Sequence, residues 1–249
     1  MSSIIPNWGK KRHKSSMNEL CAIGWDNKDK CSIITLPKEE QRMTDQIIQM
    51  RISLDYIQPE IWRRFVVNSS ISLHRLHDVI QIVMGWTNSH LYSFTIQKAE
   101  YQLPDPDGED LFNSMGFGPK PKNTKKIKLH DLKLEPRQKF RYTYDFGDNW
   151  DHTILVEKIY TATDDIILPF CIDGKRNCPP EDCGSIPGYD RILQVLKKTK
   201  TEEDKELLEW VGEDYNPELF DLEDTNIALN PKKYKNPKLK LLQGGGDKT

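Results

Sequence analysis

The chain has 249 residues, 37% hydrophobic and 30% charged, with a formal net charge of −2 at pH 7. A real core under much solvated surface follows, in one large domain or one domain with extensions. No run approaches the roughly 18 to 20 apolar residues of a membrane helix, and Met1–Lys14 lacks the apolar stretch of a secretion signal; a soluble cytoplasmic protein without membrane contact is expected.

Residues 1–45 read as an N-terminal extension, with a basic patch at 10–14 and a small strand pair between Cys21 and Leu36. The main domain, 46–230, opens with Ile48, Met50, Ile52, Leu54 and Tyr56, whose strict alternation marks a half-buried strand. Pro59 sits in a turn, and Ile61–Val67 resumes as a second strand, with Trp62 buried and Arg63 and Arg64 solvated. Ser72 caps a helix in which Leu73, Leu76, Ile80 and Val83 repeat at three and four residues, and Gly85 stops it. His74, His77 and Gln81 fall toward its less apolar side. Trp86 and His90 follow, then a third strand over Leu91–Ile96.

Prolines and glycines make Leu103–Lys126 a loop, with Phe112–Phe117 placed as a lid. Its acidic turn at 105–110 departs from a calcium loop: the glycine comes two residues early and no glutamate closes it. Lys139–Tyr160 then reads as a hairpin, two apolar-alternating runs around Asp145, Gly147, Asp148 and Asn149. Phe140, Tyr142 and Tyr144 share one side of the first run; Ile154, Val156 and the stem of Lys158 share one side of the second. The expected tip displays Asp145, Asp148, Trp150, Asp151 and His152, the acids serving turn hydrogen bonds and Trp150 packing beneath them. The Asp-Phe-Gly triplet lacks every companion of a kinase site.

Five cysteines are an odd number in a chain too large to need disulfide staples, which favours thiols or metal ligation. Cys171, Cys178 and Cys183 stand seven and five residues apart in a proline-stiffened loop. Cys178 and Cys183 with His90 and His152 make a candidate four-ligand zinc site, against the alternative of buried thiols in a rigid loop. Helices are expected over Gly188–Lys198, Glu202–Val211 and Pro217–Leu229, and 231–249 reads as a basic, disordered tail.

Charge comes in blocks. Residues 201–224 hold eleven acids against one lysine, Met115–Lys128 five lysines and no acid. Such blocks are solvated faces first; the basic segments 10–14, 120–128 and 232–240 are also the candidate contacts for nucleic acid.

In order along about 46–230, Ile61-Trp-Arg-Arg64, Leu76-His77, Met84-Gly-Trp86, Ser89-His-Leu91 with Phe94, Tyr144-Asp-Phe-Gly-Asp148 with Trp150 and His152, Cys178-Pro-Pro-Glu-Asp-Cys-Gly184, and Asn216-Pro-Glu218 with Phe220 resemble the plasmid pRiA ORF-3-like family, TnpR-type passenger proteins of insertion elements. Tyr92 stands where members often carry a second histidine, and Ser185 where glycine is frequent. The resemblance implies an α+β domain, a curved and mainly antiparallel sheet packed against several helices. It carries no reaction with it, and a serine recombinase is not supported, since neither an activated serine among arginines nor a helix-turn-helix reader is present.

Three functions remain in play. The first is a non-catalytic accessory or binding module for plasmid or mobile-element DNA or a protein partner. The second is a metal-dependent hydrolase, with Asp145, Asp148, Glu181 or Asp182 activating water. The third is a structural interaction domain in which these residues form a satisfied polar network. The candidate surface common to all three is His77, Trp86, His90, Asp145, Asp148, Trp150, His152, Glu181 and Asp182.

Overall fold

The computed structural model describes residues 22–25, 31–34, 46–104, 120–161, 167–198, 200–212 and 214–231. The expected lid at 112–117, the acidic turn at 105–110, the basic segments 10–14 and 232–240 and the tail beyond Pro231 lie outside the described residues. The chain divides into two compact units, Met1–Gln41 and Arg42–Thr249. In the first, β1 (Ala22–Trp25) pairs antiparallel with β2 (Cys31–Ile34).

The second unit is α+β. Its sheet has eight strands: β3 (Gln46–Leu54), β4 (Trp62–Asn68), β5 (Tyr92–Ile96), β6 (Ala99–Gln102), β7 (Lys122–Asn123), β8 (Lys139–Tyr144), β9 (Trp150–Thr161) and β10 (Phe170–Lys175). Their spatial order is β10-β4-β3-β9-β8-β5-β6-β7, antiparallel throughout except for the two-residue β6–β7 pair. The helices are α1 (Leu73–Met84), α2 (Ser185–Lys197), α3 (Glu202–Val211) and α4 (Leu222–Leu229).

Alternation decides the faces. Register sets Met50 opposite Phe65, Ile52 opposite Ile154, Tyr142 opposite His152 and Tyr144 opposite Trp150, so one face of the sheet carries an unbroken buried layer. Leu73, Leu76, Val79, Ile80 and Val83 of α1 join the same core. The other face is mixed: Ile47 and Val66 are buried on it, Arg64 bonds Glu157 bidentately at 2.7 and 2.9 Å, and Trp62, expected to be buried, is half-buried between Arg51 and Arg64.

α1 is bounded as its sequence predicts. The Ser72 side chain accepts from Arg75 N, and Gly85 takes φ +100°, a conformation glycine adopts without strain. Four expectations need correction. Arg63 is buried, 1% exposed, because it shares the core phase with Phe65; its guanidinium donates to the carbonyls of Val83, Trp62 and Lys175 and lies over the Phe220 ring. Cys171 belongs to an edge strand, β10, rather than to a loop. A bulge opposite Gln49 and Met50 takes Lys158 out of phase with Val156 and leaves it exposed. α4 starts at Leu222, five residues later than expected, because Asp221 supplies the cap by accepting from Asp224 N.

Candidate metal centre

Three connections meet at the β5–β8–β9 end of the sheet: 87–91 after α1, the β8–β9 turn at 145–149, and 179–185 leading into α2. Their backbones are tied together. Asp145 N donates to Leu91 O over 2.9 Å, Gly184 N donates to Asp148 Oδ2 over 3.1 Å, and Ser185 Oγ donates to Asp148 O over 2.7 Å. Asn88, Asp145, Asn149, Asp182 and Ser185 all have positive φ, between 54° and 62°. Asn and Asp tolerate that region better than other side chains, and each such residue still costs about 1 kcal/mol.

This folding brings His90 Nε2 within 3.0 Å of Asp182 Oδ1 and 3.8 Å of both Asp145 Oδ2 and Glu181 Oε2. One ligand atom each from His90, Asp145 and Asp182 lies within 4.8 Å of the others. His90 Nε2 is itself inaccessible to solvent, with Asp182 Oδ1 as its nearest carboxylate oxygen. Glu181 is held mainly through Oε1, which accepts from Thr87 N (2.8 Å), Thr87 Oγ1 (3.1 Å) and Tyr144 OH (3.0 Å), while Oε2 takes the longer Tyr144 OH contact (3.3 Å) and faces the imidazole. Burial and the neighbouring Glu181 push the Tyr144 hydroxyl above its usual pKa, which keeps it a donor. Imidazole with carboxylates suits zinc, manganese and similar divalent ions, and three protein ligands leave coordination positions open.

The expected residues are only partly assembled. His90, Asp145, Glu181 and Asp182 meet, with Asp148 bracing the loop behind them. Cys178, Cys183 and His152 lie outside the group whose ligand atoms converge. Trp150 and His152 are not displayed at the tip: they open β9 in phase with Ile154 and Val156 and are 1% and 0% exposed. His152 Nδ1–H donates to Tyr142 O over 3.2 Å inside a cage of Trp86 and Tyr142, and burial lowers its pKa to about 4. Burial pushes the thiols of Cys178 and Cys183 up to about 12. Trp86 is buried and donates to Pro179 O over 3.1 Å, which anchors the 179–185 segment. His77 belongs to a core network with Tyr142, Gln81 and Asn88. Thr87 and Tyr144 were not among the expected site residues; their role comes from three-dimensional convergence on Glu181.

Residues 46–224 match the family described as plasmid pRiA4b ORF-3-like protein. The chain belongs to the pRiA4b ORF-3-like family. It is 34% identical over 190 residues to the uncharacterised protein y4hQ of Sinorhizobium fredii (strain NBRC 101917 / NGR234), covering 76% of this chain and 93% of that protein. The crystal structure of MM3350, a protein of unknown function from Methanosarcina mazei Go1, is similar at a TM-score of 0.61 and 34% identity, over 72% of this chain and 97% of that one. The pRiA4b ORF-3-like domain therefore includes the whole His90–Asp145–Asp182 group. No helix among the described residues is long and apolar enough to cross a membrane.

Proposed function

We propose that this pRiA4b ORF-3-like protein binds a divalent cation, zinc or manganese, through His90, Asp145 and Asp182, and that the ion clasps the three connections into one binding face. The observation that carries the reading is the solvent-excluded His90 Nε2, 3.0 Å from Asp182 Oδ1 and 3.8 Å from carboxylate oxygens of Asp145 and Glu181, which come from two other segments. Like charges gathered this closely repel, and a cation relieves the repulsion while bonding the imidazole. The test is elemental analysis and calorimetric titration of the full chain with zinc and manganese. One ion per chain, lost in His90→Ala and in Asp145→Asn, is expected; an unaltered stoichiometry in both variants would remove these residues from the site.

A second reading, contact with nucleic acid, rests on the 120–128 segment, where Lys120, Lys122, Lys125, Lys126 and Lys128 are all exposed with no acid between them. Binding through phosphates falls steeply with salt, with a slope of about −0.9 per phosphate neutralised. Anisotropy titrations of labelled duplex DNA at several salt concentrations should show that slope, reduced when the five lysines become glutamine. Binding that is absent or insensitive to salt excludes the reading.

A further inference from the structure

We propose that the protein associates with further copies of itself head to tail, the lysine turn at 120–128 of one copy docking on the exposed face of α3 of the next. The contact needs no divalent cation, and it engages the same lysines as the nucleic-acid reading.

The basic half is preformed. Lys120, Lys122, Lys125, Lys126 and Lys128 are exposed, and none of them makes an ion pair among the described residues. Their backbone is fixed to the sheet and to α1: β7 pairs with β6, Thr124 is buried with its hydroxyl oxygen 2.9 Å from Tyr92 OH, and the carbonyls of Thr124 and Ile127 accept from His74 N and Leu73 N. Those two donors open α1, so the positive pole of the helix lies against the turn, and no acid in the first turn of α1 offsets it. Asp131, the next acid in the chain, is engaged in its own loop by Lys128 N at 2.8 Å and His130 Nε2 at 3.2 Å. Lysines on a fixed backbone lose less freedom on docking than lysines on a segment that must first be ordered.

The acidic half is a helix with one side uncovered. α3 is anchored by Asp204, which is buried, bonds Arg191 and accepts from Lys200 N and Thr201 N. Glu206 and Trp210 follow Glu203 by three and seven positions, with Glu209 beside them, so the four share one exposed face. Trp210 is 53% exposed, and the three glutamates have no ion-pair partner among the described residues. A large aromatic ring left in solvent among carboxylates suits a cation: the carboxylates attract an ammonium group and the ring face receives it, as the Tyr101 ring already receives Lys122 Nζ at 5.6 Å.

Charge complementarity selects the occupant. The turn and the α3 face carry opposite charge, and no ion pair among the described residues joins them within one copy. With a net charge of only −2, one copy does not strongly repel another. Nucleic acid fits the turn but is repelled by α3 and gives Trp210 no partner. Because the two docking surfaces differ, each added copy still presents a free turn or a free α3, and association continues into open chains or closes into a ring. Exposed charge contacts of this kind are weak and screened by salt.

Sedimentation of the full chain over a range of concentrations, at about 50 mM and about 500 mM salt, tests this. At low salt the weight-average mass should rise with concentration to twice that of the monomer or beyond, and at high salt it should stay at the monomer. Two variants changed only at exposed positions divide the contact: Lys122→Gln with Lys125→Gln and Lys126→Gln removes the basic half, and Glu203→Gln with Glu206→Gln and Trp210→Ser removes the acidic half. Each variant alone should sediment as a monomer, and their equimolar mixture as a dimer and nothing larger, since the mixture retains one intact turn and one intact α3. A wild-type protein that stays monomeric at low salt, a mixture that stays monomeric, or association that survives in the lysine variant would overturn the proposal. Loss of duplex DNA binding in the lysine variant of a protein that is monomeric throughout would overturn it as well, and assign the turn to nucleic acid.

Discussion

Tyr142 donates its hydroxyl hydrogen to His77 Nδ1 over 2.8 Å, and that bond fixes the state of a buried ring. Gln81 Nε2 already donates to the Tyr142 oxygen, so the phenol hydrogen is free for the imidazole. On the other side, Asn88 Oδ1 can only accept, which places the ring hydrogen on Nε2, 2.6 Å away. His77 is thus neutral with both nitrogens satisfied, and burial lowers its pKa to about 4.

A pH dependence follows from His77 and His152 together. Both have folded pKa values depressed to about 4 from 6.5. Between those values the unfolded chain binds protons that the folded chain refuses, so stability is full above about pH 6.5 and falls as pH drops toward 4. Each ring should account for about 2 kcal/mol between pH 7 and pH 5. Urea unfolding at pH 7, 6 and 5 should show a falling midpoint, with a shallower fall in His152→Gln. A midpoint independent of pH over that range would mean the rings are not buried neutral.

Asn226 substitutes for a missing ninth strand. Its amide bonds Cys171 N and Cys171 O at 2.8 and 2.9 Å, satisfying both groups of that residue on the outer side of β10, and also reaches Leu222 O. Asn226→Ala should lose about 3 kcal/mol, since two buried backbone groups are orphaned. Equilibrium denaturation measures this, and a change below about 0.5 kcal/mol would show that another group replaces the amide.

Gly188 packs directly against the segment that carries Glu181 and Asp182. A Cβ there would lie 1.7 Å from Cys183 O, and backbone cannot yield as a side chain tip can. Gly188→Ala should therefore displace the 181–184 segment, weaken cation affinity and cost about 2 kcal/mol. Wild-type affinity and stability in this variant would contradict the close approach.

These residues also show what the sequence discloses. α1 is legible because Ser72, the three-and-four spacing and Gly85 are local signals that agree, and the long alternation of β3 is equally plain. β10 is hidden because Cys171-Ile-Asp-Gly-Lys175 has little alternation of its own; it becomes a strand by pairing with β4, over a hundred residues earlier. His90, Asp145, Glu181 and Asp182 are nameable from their motifs, but their convergence depends on αL turns that composition does not specify. The burial of His152 was available in principle: it shares parity with Ile154 and Val156, which places it inward once the strand is extended back to Trp150. Extending the acidic turn through residue 152 obscures that parity.

Anomalous diffraction from crystals of the full chain soaked in manganese chloride tests the central claim most directly. One peak is predicted about 2.0–2.2 Å from His90 Nε2 and from carboxylate oxygens of Asp145 and Asp182, with open positions toward solvent. Absence of a peak there, or a peak held instead by Cys178 and Cys183, would contradict it.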